Sequence, residues 1–240
     1  MYVGKKVSIV FPVYNEKENI RAAIVEFLNH PAVDEVIAVD NNSTDGSDTE
    51  IQRTSARYVK EVVQGYGAAV QRGLREATGD LLVTVEPDGT FHADDLERLL
   101  VYSRGFDAVF GTRTSRSPVW SGGDPGADMY FALRMGNWAV AKLLEYLFNG
   151  PSFTDVGCSY KLIHRESYEK IKDSFTVTGT IFSPEFMLRC LLAGLRVVEV
   201  PVGFHARIGT SKLSNKVWKS VVIGFQMIFF IIKERIKSLV

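Results

Sequence analysis

The run Leu81-Leu82-Val83-Thr84-Val85 is the feature that most constrains how this chain can fold. Apolar residues follow one another without the polar alternation of a half-exposed strand, so a buried strand in a parallel sheet is expected. The run stops at Pro87, which cannot donate to a ladder, and Gly89 supplies a turn. Glu86 and Asp88 therefore fall at the strand's carboxyl end, the edge where open α/β sheets place their ligands. Hard oxygen donors two residues apart suit Mg²⁺ or Mn²⁺, ions that usually also hold substrate phosphates. Pro-Asp-Gly is also a strong turn signal by itself, so the surrounding chain has to decide between a turn and a site.

That surrounding chain alternates. Strands are expected over residues 7–13, 35–40, 56–63, 107–111 and 196–204, and helices over 17–30, 48–54, 68–77, 93–103, 129–148, 183–192 and 216–238. Strand, loop and helix in turn predict right-handed βαβ units and a mostly parallel central sheet flanked by helices. Residues 154–163 read as irregular or strand. Residues 115–127, rich in Ser, Gly and Pro, break the pattern and are expected to form a lid beside the site.

The 240 residues suffice for one sizeable α/β domain, and 46% apolar with 23% charged residues is ordinary for a globular chain. Formal net charge is zero, so no global field recruits a polyanion and nucleic acid is not an expected partner. Cys158 and Cys190 lack metal-site spacing and fit a reduced, cytosolic compartment. Residues 1–6 run straight into a strand, so no signal peptide is expected, and no apolar run reaches the ~20 residues of a membrane span.

Three strands deliver polar groups to one edge: Tyr14 and Glu16, then Asp40 and Asn42, then Glu86 and Asp88. Each alone is also a common cap or turn former. Together they describe a nucleotide pocket, with Asp40 placed to accept from a base or ribose donor. Gly65-Tyr66-Gly67 before a helix reads either as a phosphate cradle or as close packing of a loop on the pocket, and packing is the simpler account. Arg113 follows a strand end, while Arg207 and Lys212 sit in a glycine-containing loop, a geometry suited to phosphate or pyrophosphate. The four histidines show no metal spacing, and neither a nucleophile elbow nor a Walker lysine occurs.

Taken in order, these motifs resemble the family-2 glycosyltransferases of GT-A fold, especially the branch acting on dolichyl or polyprenyl phosphate. The resemblance rests on residues 7–16, 39–46 and 65–69, Glu86-Pro87-Asp88, Gly111-Thr112-Arg113, Arg134 with Asn137, and residues 155–160, 182–185, 199–202 and 207–212. It implies an inverting transfer from a nucleotide-sugar such as GDP-mannose or a UDP-hexose to a polyprenyl-phosphate acceptor. Pro12, Tyr14, Glu16 and Asp40 would hold the nucleotide, with Asn42 and Gly67 beside it. Glu86 and Asp88 would hold Mg²⁺ or Mn²⁺, and Arg113, Arg134, Arg207 and Lys212 would neutralise phosphates of donor and acceptor. Two positions depart from the pattern. Glu86 stands where the family has Asp, which makes Asp88 the safer metal ligand, and Asp155-Val156-Gly157-Cys158-Ser159 replaces a common Asp-x-Thr-Ser-Gly. Alternatives are a transferase acting on a hydroxyl, for which Asp155 or Glu185 would be the first candidate bases, or a catalytically silent nucleotide-sugar-binding protein.

Residues 221–232 are largely apolar and too short to span a bilayer, with Lys216 and Lys219 before them and Lys233, Arg235 and Lys237 after. Such a segment reads as a helix lying in a membrane interface, following a GT-A domain of residues 1–215. The expected location is the cytoplasmic membrane face, held peripherally. The same helix read differently packs on the domain or forms a homodimer contact.

Overall fold

The apolar run forms the strand Leu81–Thr84, in which Leu81, Leu82 and Val83 are fully buried. The structure, a computed structural model, describes residues 1–114, 131–207 and 217–239 and, within these, the side chains of all but 131–133 and 217–219. Seven strands of the described residues make one sheet: β1 (Val7–Val13), β2 (Glu35–Asp40), β3 (Arg57–Lys60), β4 (Leu81–Thr84), β5 (Ala108–Thr112), β6 (Lys161–His164) and β7 (Val197–Pro201). Their order is β3-β2-β1-β4-β6-β5-β7, which makes β4 the central strand.

Every pairing is parallel except those of β6, which runs antiparallel to both β4 and β5. The reason lies in the connection. The segment that leads into β6 is pinned at the carboxyl edge, where Asp155 is bonded to Arg113 just past β5, and so the chain enters β6 from that edge in the opposite direction. Six strands consequently end on one edge, where the polar groups were expected.

The helices are α1 (Ile20–Leu28), α2 (Ser47–Gln52), α3 (Tyr66–Glu76), α4 (Leu96–Tyr102), α5 (Phe131–Phe148), α6 (Arg165–Ile171), α7 (Phe182–Leu192) and α8 (Val217–Lys237). Successive strand residues face opposite layers, as a pleated strand requires. Val10, Ile37, Val39, Leu82 and Phe110 pack with α3, α5, α7 and α8, while Ile9, Phe11, Ala38 and Val83 pack with α1 and α4. Each fully buried Val, Leu, Ile or Phe contributes about 1.5–3 kcal/mol, so the two layers supply the main driving force. Helix α1 begins at Ile20, the first residue of its apolar face, and not at residue 17 as expected, because the segment from Asp45 to Ser47 holds the preceding turn. The Glu16 amide donates to Ser47 Oγ (2.9 Å) and the Lys17 amide to Asp45 Oδ2 (3.0 Å). Met227, Phe230 and Ile231 of α8 are buried, whereas Phe225 and Phe229 are 68% and 71% exposed. The stretch expected to form a lid, 115–127, lies outside the described residues.

Candidate active site

The β1–β4 ladder ends at Val10↔Thr84, although β1 stays paired with β2 as far as Val13↔Asp40. Val10 accepts from the Val85 amide, and two residues on, Pro12 would donate toward the same side. Proline has no N–H, so the ladder stops and the strands part. The parting falls between β1 and β4, where the strand order reverses, the switch point at which open sheets bind ligands.

Tyr14 is exposed at this edge and Glu16 is buried, accepting from Asn19 Nδ2 at 3.1 Å. Asp40 is also buried. Its Oδ1 accepts from the Ser43 amide (3.0 Å), and Oδ2 lies 3.4 Å from the Tyr58 hydroxyl, so much of its capacity is used within the loop. Asn42, in the left-handed region at φ +64°, donates to the Val62 carbonyl (3.0 Å) and holds the loop after β2 against residues 62–64. Both Asp40 and Asn42 thus shape the pocket wall.

After β4 the chain turns through Gly89 at φ +79°. Asp88, buried, accepts from both the Thr90 amide (3.0 Å) and the Thr90 hydroxyl at Oδ1. Its Oδ2 pairs with Arg207 Nη1 at 3.1 Å, and Arg207 Nη2 reaches Glu16 Oε1 at 2.8 Å. Burial, reinforced by repulsion from Asp88, pushes the neighbouring Glu86 carboxyl well above its ordinary range. Among the described residues no three His, Cys, Asp or Glu side chains stand close enough to enclose a metal. A divalent ion here would take at most two ligands from the described His, Cys, Asp and Glu side chains, with the Glu86 and Asp88 carboxylates as the candidates, and would leave its other positions to diphosphate oxygens and water. That donor set fits the coordination habit of Mg²⁺ and, by its hardness, Mn²⁺.

The expected phosphate cations are already engaged. Arg207 bridges two carboxylates, as above. Arg113 forms a fork with Asp155: Nε to Oδ2 is 2.8 Å, Nη2 to Oδ1 is 3.0 Å, and the Arg113 amide adds a third bond. Burial raises the Asp155 carboxyl, but Arg113 outweighs it and holds the group below the ordinary range. Arg134 Nη2 donates to the Thr114 carbonyl at 2.6 Å, and Lys212 lies outside the described residues.

Glu185 and Asp155 are poor candidates for a general base. Glu185, fully buried, accepts from the Thr176 amide and hydroxyl, the Val177 amide and Arg189. Gly67 also resolves toward packing, because a Cβ there would stand 2.6 Å from Phe182 Cβ and 2.8 Å from the Val177 carbonyl. It seats α3 on the 177–182 segment instead of cradling a phosphate. His92, next to the acidic turn, faces Glu26 Oε1 at 3.0 Å and the ring of His205.

Two supporting residues were not singled out from the sequence. Thr90 was detectable, since a Thr two residues after Asp is the spacing of a side-chain-closed turn. Glu199 was not. From β7 it accepts from the Thr154 amide (2.7 Å) and hydroxyl and from the Asp155 amide (3.0 Å), clamping the loop that presents Asp155.

The switch point thus gathers strand-end carboxylates and the arginine that bridges two of them, Arg207. The chain belongs to glycosyl transferase family 2, whose model matches residues 8–172. An uncharacterized glycosyltransferase of Mycobacterium tuberculosis is 30% identical over 221 residues, covering 91% of this chain and 94% of that one. A dolichyl-phosphate hexose transferase of Haloferax volcanii is 26% identical over 239 residues, 98% of each chain. In fold, the chain is similar to glucosyl-3-phosphoglycerate synthase from Mycobacterium tuberculosis, solved with Mn²⁺, UDP and glucosyl-3-phosphoglycerate. The TM-score is 0.71 at 20% identity, covering 97% of this chain and 80% of that one. The same enzyme was also solved with Mg²⁺ and UDP, with a TM-score of 0.69 at 20% identity, covering 97% of this chain and 79% of that one. The GT-A fold expected from the sequence is the fold of this chain.

Proposed function

We propose that this glycosyltransferase is a metal-dependent, inverting hexosyltransferase that moves a sugar from GDP-mannose or a UDP-hexose to a polyprenyl phosphate. The observation that carries the reading is the convergence of Glu16, Asp88 and Arg207 beside Glu86 at the switch point. Asp88 and Glu86 are the donor pair for Mg²⁺ or Mn²⁺, which when bound offsets the charge that develops on the departing nucleoside diphosphate. Arg207, Arg134 and Lys212 supply cations toward the phosphates, and Arg113 is held rigid by Asp155 on the acceptor side. Tyr14 and Asp40 line the nucleotide end, with Pro12 keeping the crevice open.

The use of the carboxylates supports a phosphate acceptor. A hydroxyl acceptor needs a base, yet Asp155 and Glu185 both accept internal donors. A phosphate is already ionised near neutral pH and needs little help. The Haloferax relative, matched from end to end, supports the same acceptor. No helix among the described residues is long and apolar enough to cross a membrane. The exposed Phe225 and Phe229 on α8, with Lys233 and Lys237 nearby, favour peripheral attachment to the cytoplasmic membrane face. The test is a panel of nucleotide-sugars against a short polyprenyl phosphate and, in parallel, 3-phosphoglycerate, with products weighed by mass spectrometry. Sugar appearing only on the phosphoglycerate would overturn the acceptor assignment.

A further inference from the structure

We infer that Arg207 is a tethered counter-cation that occupies Asp88 until a divalent metal and a nucleoside diphosphate arrive together, so that each ligand binds well only with the other. The inference rests on the metal and donor assignments above and deepens them into a binding order.

The geometry leaves no Asp88 oxygen unengaged. Oδ1 accepts the Thr90 amide and hydroxyl, and Oδ2 is ion-paired with Arg207 Nη1 at 3.1 Å. A metal bound directly to Asp88 must therefore compete with charge-assisted bonds from the chain itself. Arg207 is not a loose surface arginine. The strap that carries it is bonded to the body of the fold at three points: the Val202 amide to the Thr112 carbonyl (3.1 Å), the Gly203 amide to Asp95 Oδ2 (2.7 Å) and the His205 amide to the Thr90 carbonyl (3.0 Å). The ring of Phe204, 6.2 Å from that of Phe91, packs the same strap down. The guanidinium is thus delivered between Glu16 and Asp88 at high local concentration. Its Nε is buried and has no hydrogen-bond partner among the described residues, so the present pose leaves a donor unsatisfied there. A buried donor without a partner is costly, which makes this pose one that a better acceptor can displace.

A metal alone would have to displace the arginine from Asp88, leaving the guanidinium Glu16 but no phosphate in exchange. A nucleoside diphosphate alone meets Arg207 while the uncompensated Glu86 and Asp88 carboxylates repel it. With both, the metal takes the carboxylates and the diphosphate oxygens take the arginine. Two ligands that relieve each other's penalty bind cooperatively, and the coupling is reciprocal by linkage.

The test reads binding alone and needs no turnover. Mn²⁺ is titrated into the full chain by electron paramagnetic resonance, with and without UDP or GDP, for wild type, R207Q and R207K, each checked for folding by circular dichroism. Wild type should bind Mn²⁺ weakly alone and at least about tenfold more tightly with the nucleotide, a coupling of ordinary allosteric size. In R207Q, Mn²⁺ alone should bind about tenfold more tightly than in wild type, and most of the nucleotide effect should vanish. R207K, which keeps one charge but cannot bridge two carboxylates, should fall between. Equal Mn²⁺ affinity in wild type and both variants overturns the inference even if sugar transfer is metal-dependent. Mn²⁺ binding that is also indifferent to D88N overturns the metal assignment beneath it as well.

Discussion

Asp155→Asn tests the buried ion pair that holds Arg113 at the end of β5. Asp155 is 0% exposed and accepts four donors: Arg113 Nε, Nη2 and amide, and the Gly157 amide. The amide keeps the shape but loses the charge, and its NH₂ must face at least one N–H. Arg113, with a side chain 16% exposed, is left as a charge without its partner. Breaking a buried pair from one side costs about 3–5 kcal/mol. In a chain of this length that corresponds to a melting temperature lower by roughly 10 °C. Urea unfolding of both proteins at pH 7 measures it directly. The pH dependence gives an independent check. The folded carboxyl lies below its unfolded value of 3.8, so its contribution is complete above that range and is lost as the pH falls through the lower folded value. The gap between wild type and variant should hold steady from pH 8 to 5 and close in stronger acid. A gap under about 0.5 kcal/mol at pH 7, the size of an exposed pair, would refute the reasoning.

Asp88→Ala should lower kcat/KM by roughly a hundredfold or more through loss of the metal's most direct ligand, with Glu86→Ala milder; equal activity of Asp88→Ala and wild type at saturating Mn²⁺ contradicts the assignment. For membrane attachment, removing residues 216–240 would also strip Met227, Phe230 and Ile231 from the core and Glu234 from Arg189, so the exposed face must be changed instead. Phe225→Ser with Phe229→Ser should abolish co-sedimentation with anionic vesicles while leaving the fold intact, and high salt should weaken wild-type binding; a double variant that still sediments removes α8 as the anchor. Glu199 is pushed up to about 7 by burial, so the folded chain keeps its proton while the unfolded chain loses it near 4.5. Its contribution to stability therefore falls as pH rises from about 4.5 to about 7, and the wild-type advantage over Glu199→Gln in urea should shrink across that window. A constant difference across the window counts against a buried, protonated Glu199.

The parts of the site that follow from local chemistry were legible in the sequence. Pro12, Asp40 and Glu86-Pro87-Asp88 stand at strand ends because apolar runs and prolines mark those ends without help from the rest of the chain. What escaped was set by distant contacts. The arginines were read as phosphate cations, and the carboxylates they meet, 42 residues from Arg113 and 191 from Arg207, were not foreseen. No spacing rule reaches across such separations. The reversed direction of β6, within a stretch read as irregular or strand, and the polar helix α6 were missed for a related reason. Lys161–His164 is only four residues long, and its direction is dictated by where the Asp155 loop is pinned. Glu16 was placed with the nucleotide on the pattern of its turn, and the structure turns its carboxylate to Arg207 and Asn19.

The most direct measurement of the central claim follows labelled sugar from the donor. GDP-mannose and UDP-glucose are each incubated with a short polyprenyl phosphate in detergent, first with a chelator and then with Mn²⁺ restored, and the extractable lipid is examined by NMR. The proposed function predicts that label enters the lipid only when the metal is present, in the anomeric configuration opposite to that of the donor. Label that stays on the nucleotide under every condition, or reaches the lipid equally well with the metal chelated, contradicts it.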